Sequence, residues 1–111
     1  MHETARRAIV ILRTAHASFL RVEEYVKDTD PHARQFADIA LAELVLAQAV
    51  VRESPRTIGV EGQIVVLGLA LQRILNHIDC VSDASEQYEL LRKGMVLASG
   101  VIGTIIRDLY T

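Results

Sequence analysis

The chain has 111 residues, of which 50% are hydrophobic, with a net charge of −2 at pH 7 and one cysteine. This length supports one core, so residues 1–111 are expected to form a single domain. The lone cysteine excludes an internal disulfide and a multi-cysteine metal site. The charge balance argues against a dedicated nucleic-acid binder, which normally carries a basic stripe.

The apolar runs are interrupted by charged or polar residues before they reach the ~20 residues that a membrane-spanning helix needs. Ile9 to Leu12 is too brief for the apolar region of a signal peptide. The sequence therefore predicts a cytoplasmic protein with no membrane partner.

Helix-start signals divide the chain into four segments. Pro31 and Pro55 each follow a residue that caps helices, Asp30 and Ser54 respectively, and proline is favoured at the first helical position. Asp83, with a glutamate three residues later, has the spacing of a capping box and divides the last piece again. Four helices are therefore predicted.

Each segment repeats apolar or small residues at alternating spacings of three and four, as one face of a helix requires. The predicted core stripes are Ala5, Ala8, Leu12, Ala15, Phe19, Val22 and Val26; Ala37, Ala40, Leu44, Ala47 and Val51; Val60, Ile64, Leu67, Leu71, Ile74, Ile78 and Val81; and Tyr88, Leu91, Met95, Ala98, Ile102, Ile105 and Leu109. Short loops make consecutive helices antiparallel neighbours. The predicted fold is an all-α, antiparallel up-down-up-down four-helix bundle.

Residues 57–66 carry a competing pattern. Two short β-prone stretches flank Glu61-Gly62, which also suits a β-hairpin. An isolated two-stranded hairpin has no sheet to join, and the helical spacing continues from Val60. Helix is preferred here, and the hairpin stays open as the alternative.

Helices two, three and four carry a second apolar strip outside the core stripe. Its members are Ile39, Ala42, Leu46 and Ala49 in the second helix, Val66 and Leu69 in the third, and Leu97 and Gly100 in the fourth. Apolar patches of this size are rare on monomers, and glycines within helices suggest that another backbone comes close. We predict a homodimer or higher oligomer with these residues at the interface. Its larger side chains are expected to be buried, some of them only when the oligomer assembles. The alternative is that these residues enlarge the core of a monomer.

Acidic and histidine side chains are expected to gather at one pole of the bundle. Arg73 and His77 are one helical turn apart, and with Asp79 and Glu24 they are the candidate ligand-binding residues. No spacing there is diagnostic of a metal site, and no nucleophile-base set or glycine-rich phosphate loop occurs. No metal, cofactor or catalytic residue is therefore predicted.

The leading functional interpretation is a non-enzymatic, homo-oligomeric interaction or regulatory module, with a further protein partner left open. The alternative is a small-ligand-binding or metal-dependent enzyme that uses the acidic, histidine-containing pole or a pocket between subunits. Nucleic acid is the least supported partner, because the arginines are scattered among acidic residues.

Overall fold

The computed structural model describes residues 2–110 and contains four α-helices and no strand in that range. The helices are Glu3–Lys27 (α1), His32–Val51 (α2), Glu61–Cys80 (α3) and Ala84–Tyr110 (α4), and a 3-10 turn at Ile58–Val60 precedes α3. The predicted all-α, four-helix fold is confirmed. The alternative hairpin at 57–66 is wrong, because the 3-10 turn and the start of α3 occupy this segment.

The four helices pack around one shared core. α1 packs against α2 and α4, and α3 packs against α2 and α4 in turn. Every predicted core residue of the first two helices is buried. In α3, Leu75 is fully buried, whereas the predicted core residue Ile74 is only partly buried and packs at the edge of the core. The helix is thus rotated slightly from the predicted phase.

The contact between α1 and α2 is the most extensive helix pair among the described residues. The buried residues of α2 are mostly alanines, namely Ala33, Ala37, Ala40 and Ala47. Such small side chains let two helices approach closely. The Ser18 hydroxyl of α1 also donates a hydrogen bond to the Glu43 carboxylate of α2 at 2.7 Å. α1 and α2 therefore form the most extensively packed side of the molecule.

Aspartates cap the starts of two helices, as the sequence predicts. The Asp30 carboxylate accepts a hydrogen bond from the backbone N–H of His32 at 2.9 Å. The Asp83 carboxylate accepts one from the backbone N–H of Glu86 at 3.2 Å. Each bond satisfies an N–H group that has no partner within its own helix.

The predicted start of the third helix at Pro55 is wrong. Pro55 lies in a turn, and α3 begins at Glu61. The reason is the buried side chain of Thr57, whose hydroxyl donates a hydrogen bond to the Val51 carbonyl at 2.7 Å. This bond ties the chain back to the end of α2, so the new helix cannot begin until the turn is complete.

Candidate interaction surface

α3 presents apolar side chains outward as well as toward the core. Val66 and Leu69 are 67% and 61% exposed, whereas Leu67 and Leu71 are buried. The difference follows from the ~100° that separates consecutive residues around a helix. The segment Ile58–Cys80 is long and apolar enough to cross a membrane, and only 28% of its most apolar stretch is buried. Its outer side therefore has no cover within residues 2–110.

A groove of about 460 Å³ runs between α3 and α4. Its lining includes buried Leu67 and Ala98 and the exposed side chains of Val66, Leu97 and Val101. Nearly all of its surface is apolar. The groove can accept aliphatic side chains and offers almost no hydrogen-bonding group to a polar ligand.

Gly94 brings α3 and α4 together at one end of this groove. A Cβ atom at Gly94 would lie 3.1 Å from Cδ1 of Ile74, tighter than ordinary van der Waals contact. The missing side chain lets Ile74 lie against the backbone of α4. Gly62 and Gly100, by contrast, have no atom within 4 Å of such a Cβ and face open space. Gly94 therefore serves packing within the chain.

A second, smaller groove of about 230 Å³ lies between α2 and α3, where Val45 is 61% exposed. Leu69 lines this groove and Val66 lines the first, so one groove lies on each side of the exposed strip of α3. We call the resulting patch the α3 surface, defined by Val45, Val66, Leu69, Leu97 and Val101. It extends over three helices.

All eight residues of the predicted interface are exposed in the single chain. They are Ile39, Ala42, Leu46, Ala49, Val66, Leu69, Leu97 and Gly100. None of them thickens the core of the monomer, and their burial in an oligomer stays a prediction. Val66, Leu69 and Leu97 belong to the α3 surface, whereas the four residues of α2 lie along the outer side of that helix.

Sequence reasoning missed two members of the α3 surface. Val45 is 61% exposed and Val101 is 44% exposed. Both have a detectable signal, since Val45 lies four residues before Ala49 and Val101 lies four residues after Leu97. Residues four apart share one side of a helix, so the spacing that defines the predicted strips also includes these two positions.

The four candidate ligand-binding residues do not form one site. Arg73 and His77 are exposed one turn apart on α3, and Glu24 is exposed on α1. Asp79 pairs with Arg34 of α2, with N–O distances of 2.5 and 3.2 Å. The hydrogen bonds of this pair lower the pKa of Asp79 and raise the pKa of Arg34. Within residues 2–110, no hydrogen bond or ion pair joins the four candidates to each other.

Several charged groups of the acidic pole take part in helix caps and ion pairs. His32 donates its backbone N–H to Asp30 and places Nδ1 2.7 Å from the same carboxylate, and these bonds lower the pKa of Asp30. In the described part of the chain, no group of three or more His, Cys, Asp or Glu residues is arranged to hold a metal ion.

These features define a four-helix, all-α protein with an uncovered apolar surface on α3 and its two neighbours. No protein-family model matches the chain, and neither a curated protein nor a solved structure is similar enough to count as a match. What the protein does must therefore be inferred from its own residues and their arrangement.

Proposed function

We propose that this protein is a non-enzymatic, homo-oligomeric interaction module of the cytoplasm, in which another copy of the chain covers the α3 surface. The observation that carries the proposal is the exposure of Val66, Leu69 and Leu97, which ranges from 61% to 69%. Full burial of a valine or leucine side chain is favourable by about 1.5–3 kcal/mol. Contiguous aliphatic patches typically mark interaction sites for this reason.

In this proposal the module is an antiparallel up-down-up-down bundle. Two contacts support this order by joining the start of one helix to the end of the next. Arg34 near the start of α2 pairs with Asp79 near the end of α3. Gln63 near the start of α3 donates a hydrogen bond to Asp108 near the end of α4. The short connections between the helices favour the same order.

A membrane is the competing partner for an exposed apolar helix, and two features favour a second copy instead. Arg73 is exposed on α3, and a charged group is costly within a bilayer. The α3 surface also includes Val45 of α2 and Leu97 of α4, so it is a broad face of the bundle. A broad face suits another folded surface better than it suits insertion of one helix.

Sedimentation velocity over protein concentrations from about 1 to about 500 µM tests the proposal. The wild-type chain should associate, and Val66→Glu or Leu97→Glu should weaken association because each places a charge in the apolar contact. Val10→Glu is the matched control, because Val10 is 58% exposed on α1 and lies outside the α3 surface. It should associate like the wild type.

Two results would contradict self-association through this surface. One is a wild-type chain that stays monomeric at the highest concentration. The other is an oligomer that Val66→Glu and Leu97→Glu leave unchanged while their circular dichroism shows that they remain folded. Flotation with phosphatidylcholine–phosphatidylglycerol vesicles, with no association in solution, would instead assign the surface to a membrane.

A further inference from the structure

We infer that two copies pair about a two-fold axis that crosses α3, so that their α3 helices lie antiparallel and Arg73 of each copy meets Asp108 of the other. The inference rests on the proposed self-association and adds the orientation of the pair and the charges that fix it. Because a two-fold interface uses the same patch twice, each contact in it occurs in two copies.

The groove between α3 and α4 carries opposite charges near its two ends. One end is marked by the contact between Ile74 and Gly94, and Arg73 is exposed beside it. Near the other end, the Gln63 amide donates to the Asp108 carboxylate at 3.2 Å. Arg73 makes no hydrogen bond or ion pair within residues 2–110, whereas Asp108 is already bonded within its own chain. The two ends of the groove nevertheless carry side chains of opposite charge.

The two charges lie at matching distances from the middle of the α3 surface. We take the middle of the surface as the point on α3 halfway between Val66 and Leu69. At a rise of ~1.5 Å per residue, Arg73 lies about 8 Å from this point along the helix. The contacts Ile74–Gly94 and Gln63–Asp108 fix how α4 is aligned with α3. This alignment places Val101 of α4 level with the middle of the surface. Asp108 then lies about 10 Å away in the opposite direction. A two-fold axis through the middle therefore brings each Arg73 level with the other copy's Asp108.

The same axis also matches the apolar side chains. It places Leu69 against Val66 of the second copy and Val101 near its own equivalent. Leu97, about 6 Å from the middle, then lies over the groove end that contains Gly62 of the second copy. A Cβ at Gly62 would have no atom within 4 Å, so this end has room for a leucine side chain.

A parallel pairing is disfavoured by charge. It would place Arg73 against Arg73, and like charges that face each other directly are destabilising. In the antiparallel pairing these residues are separated, and Arg73 meets a carboxylate. Arg107, the cation next to Asp108, points about 100° further round α4. It therefore need not oppose the incoming Arg73.

A charge-swap cycle tests the pairing by sedimentation equilibrium. Arg73→Glu and Asp108→Arg should each raise the dimer dissociation constant about tenfold, because two exposed ion pairs are lost per dimer. The double variant, in which the charges are exchanged, should regain most of the affinity. Arg107→Glu changes the net charge as Arg73→Glu does and should stay within about twofold of the wild type.

The native cysteine gives an independent readout. In the antiparallel pair, Cys80 lies about 19 Å from the axis, so the two Cys80 residues are about 38 Å apart, far beyond disulfide reach. Diamide should therefore produce no disulfide dimer of the wild type. Residue 66 lies only about 2 Å from the axis along the helix. The variant Val66→Cys in a Cys80→Ser background should therefore form a disulfide dimer with diamide.

The outcomes separate this inference from the proposed function. If the double variant is no better than the single ones, or Cys80 forms a disulfide dimer, the antiparallel pairing is overturned. Self-association through the α3 surface still stands in that case, provided that Val66→Glu is monomeric. A wild-type chain that never dimerises, or that only binds vesicles, overturns both.

Discussion

Replacing Leu71 by alanine should destabilise the fold far more than the same change at Leu69, two residues earlier on α3. Leu71 is 1% exposed and Leu69 is 61% exposed. The change removes three side-chain carbons, worth about 0.8 kcal/mol each when buried, and leaves a cavity in addition. We expect Leu71→Ala to lower the free energy of unfolding by about 3 to 4 kcal/mol.

At Leu69 most of the side chain already contacts water. Only about two-fifths of the transfer free energy is then at stake, which amounts to about 1 kcal/mol. The higher helix propensity of alanine offsets a small part of that loss. In the dilute monomer, Leu69→Ala should therefore cost less than about 1 kcal/mol.

Urea unfolding followed by circular dichroism measures both values, first at about 2 µM protein and then at about 100-fold higher concentration. The proposed self-association would stabilise only the folded chain, so the wild-type midpoint should rise with concentration, and Leu69→Ala should lose part of that rise. Equal costs for the two variants in dilute solution would show that Leu69 is not on the outer side of α3. The α3 surface as defined above would then be wrong.

Two further predictions concern packing and pH. A Cβ at Gly103 would meet open space, so Gly103→Ala should raise the free energy of unfolding by up to about 1 kcal/mol through helix propensity. Gly94→Ala should raise it less, because Ile74 must move to make room. Urea unfolding measures both values, and equal gains would contradict close packing at Gly94. The Arg34 pair lowers the pKa of Asp79 below its ordinary 3.8, so its stabilisation is present above that pH and is lost as the pH falls through the folded pKa. Asp79→Asn should therefore lower stability at pH 7 and flatten the acid limb of a pH–stability curve; an unchanged limb would contradict this.

The core was predictable because every helix repeats its apolar residues with the helical period. Phe19, Leu44 and Ile102 all fall on the predicted stripes and are 0–1% exposed. Periodicity specifies which side of a helix faces inward. The small phase error in α3 arose because Ile74 and Leu75 are both aliphatic, and only the packing of Ile74 against Gly94 decides between them.

The start of α3 was not predictable from local signals. Ser54 and Pro55 form a good helix-start signal, yet the helix begins at Glu61. The competing signal is Thr57, an ordinary polar residue in the sequence that is 1% exposed in the fold. Its bond to the Val51 carbonyl depends on where α2 ends and how the chain turns. A local pattern cannot reveal a contact of that kind.

The candidate surface was predictable in its members but not in its outline. Val66, Leu69 and Leu97 stood out because they are apolar at positions where a lone bundle needs polar residues. The grooves on either side of α3 depend on the separation of neighbouring helices, which no single helix encodes. Spacing alone places Val45 and Val101 on the outer sides of their helices, and the grooves that they line join them to the predicted residues.

The uneven use of alanine explains why the uncovered surface lies on α3. Alanines bring α2 close to α1, and this pair makes the most extensive contact among the described residues. α3 contacts its two neighbours less extensively, and a groove remains on each side of it. The aliphatic side chains of its outer side are thus left to water. The burial that the bundle lacks there is what a second copy, placed across the two grooves, would provide.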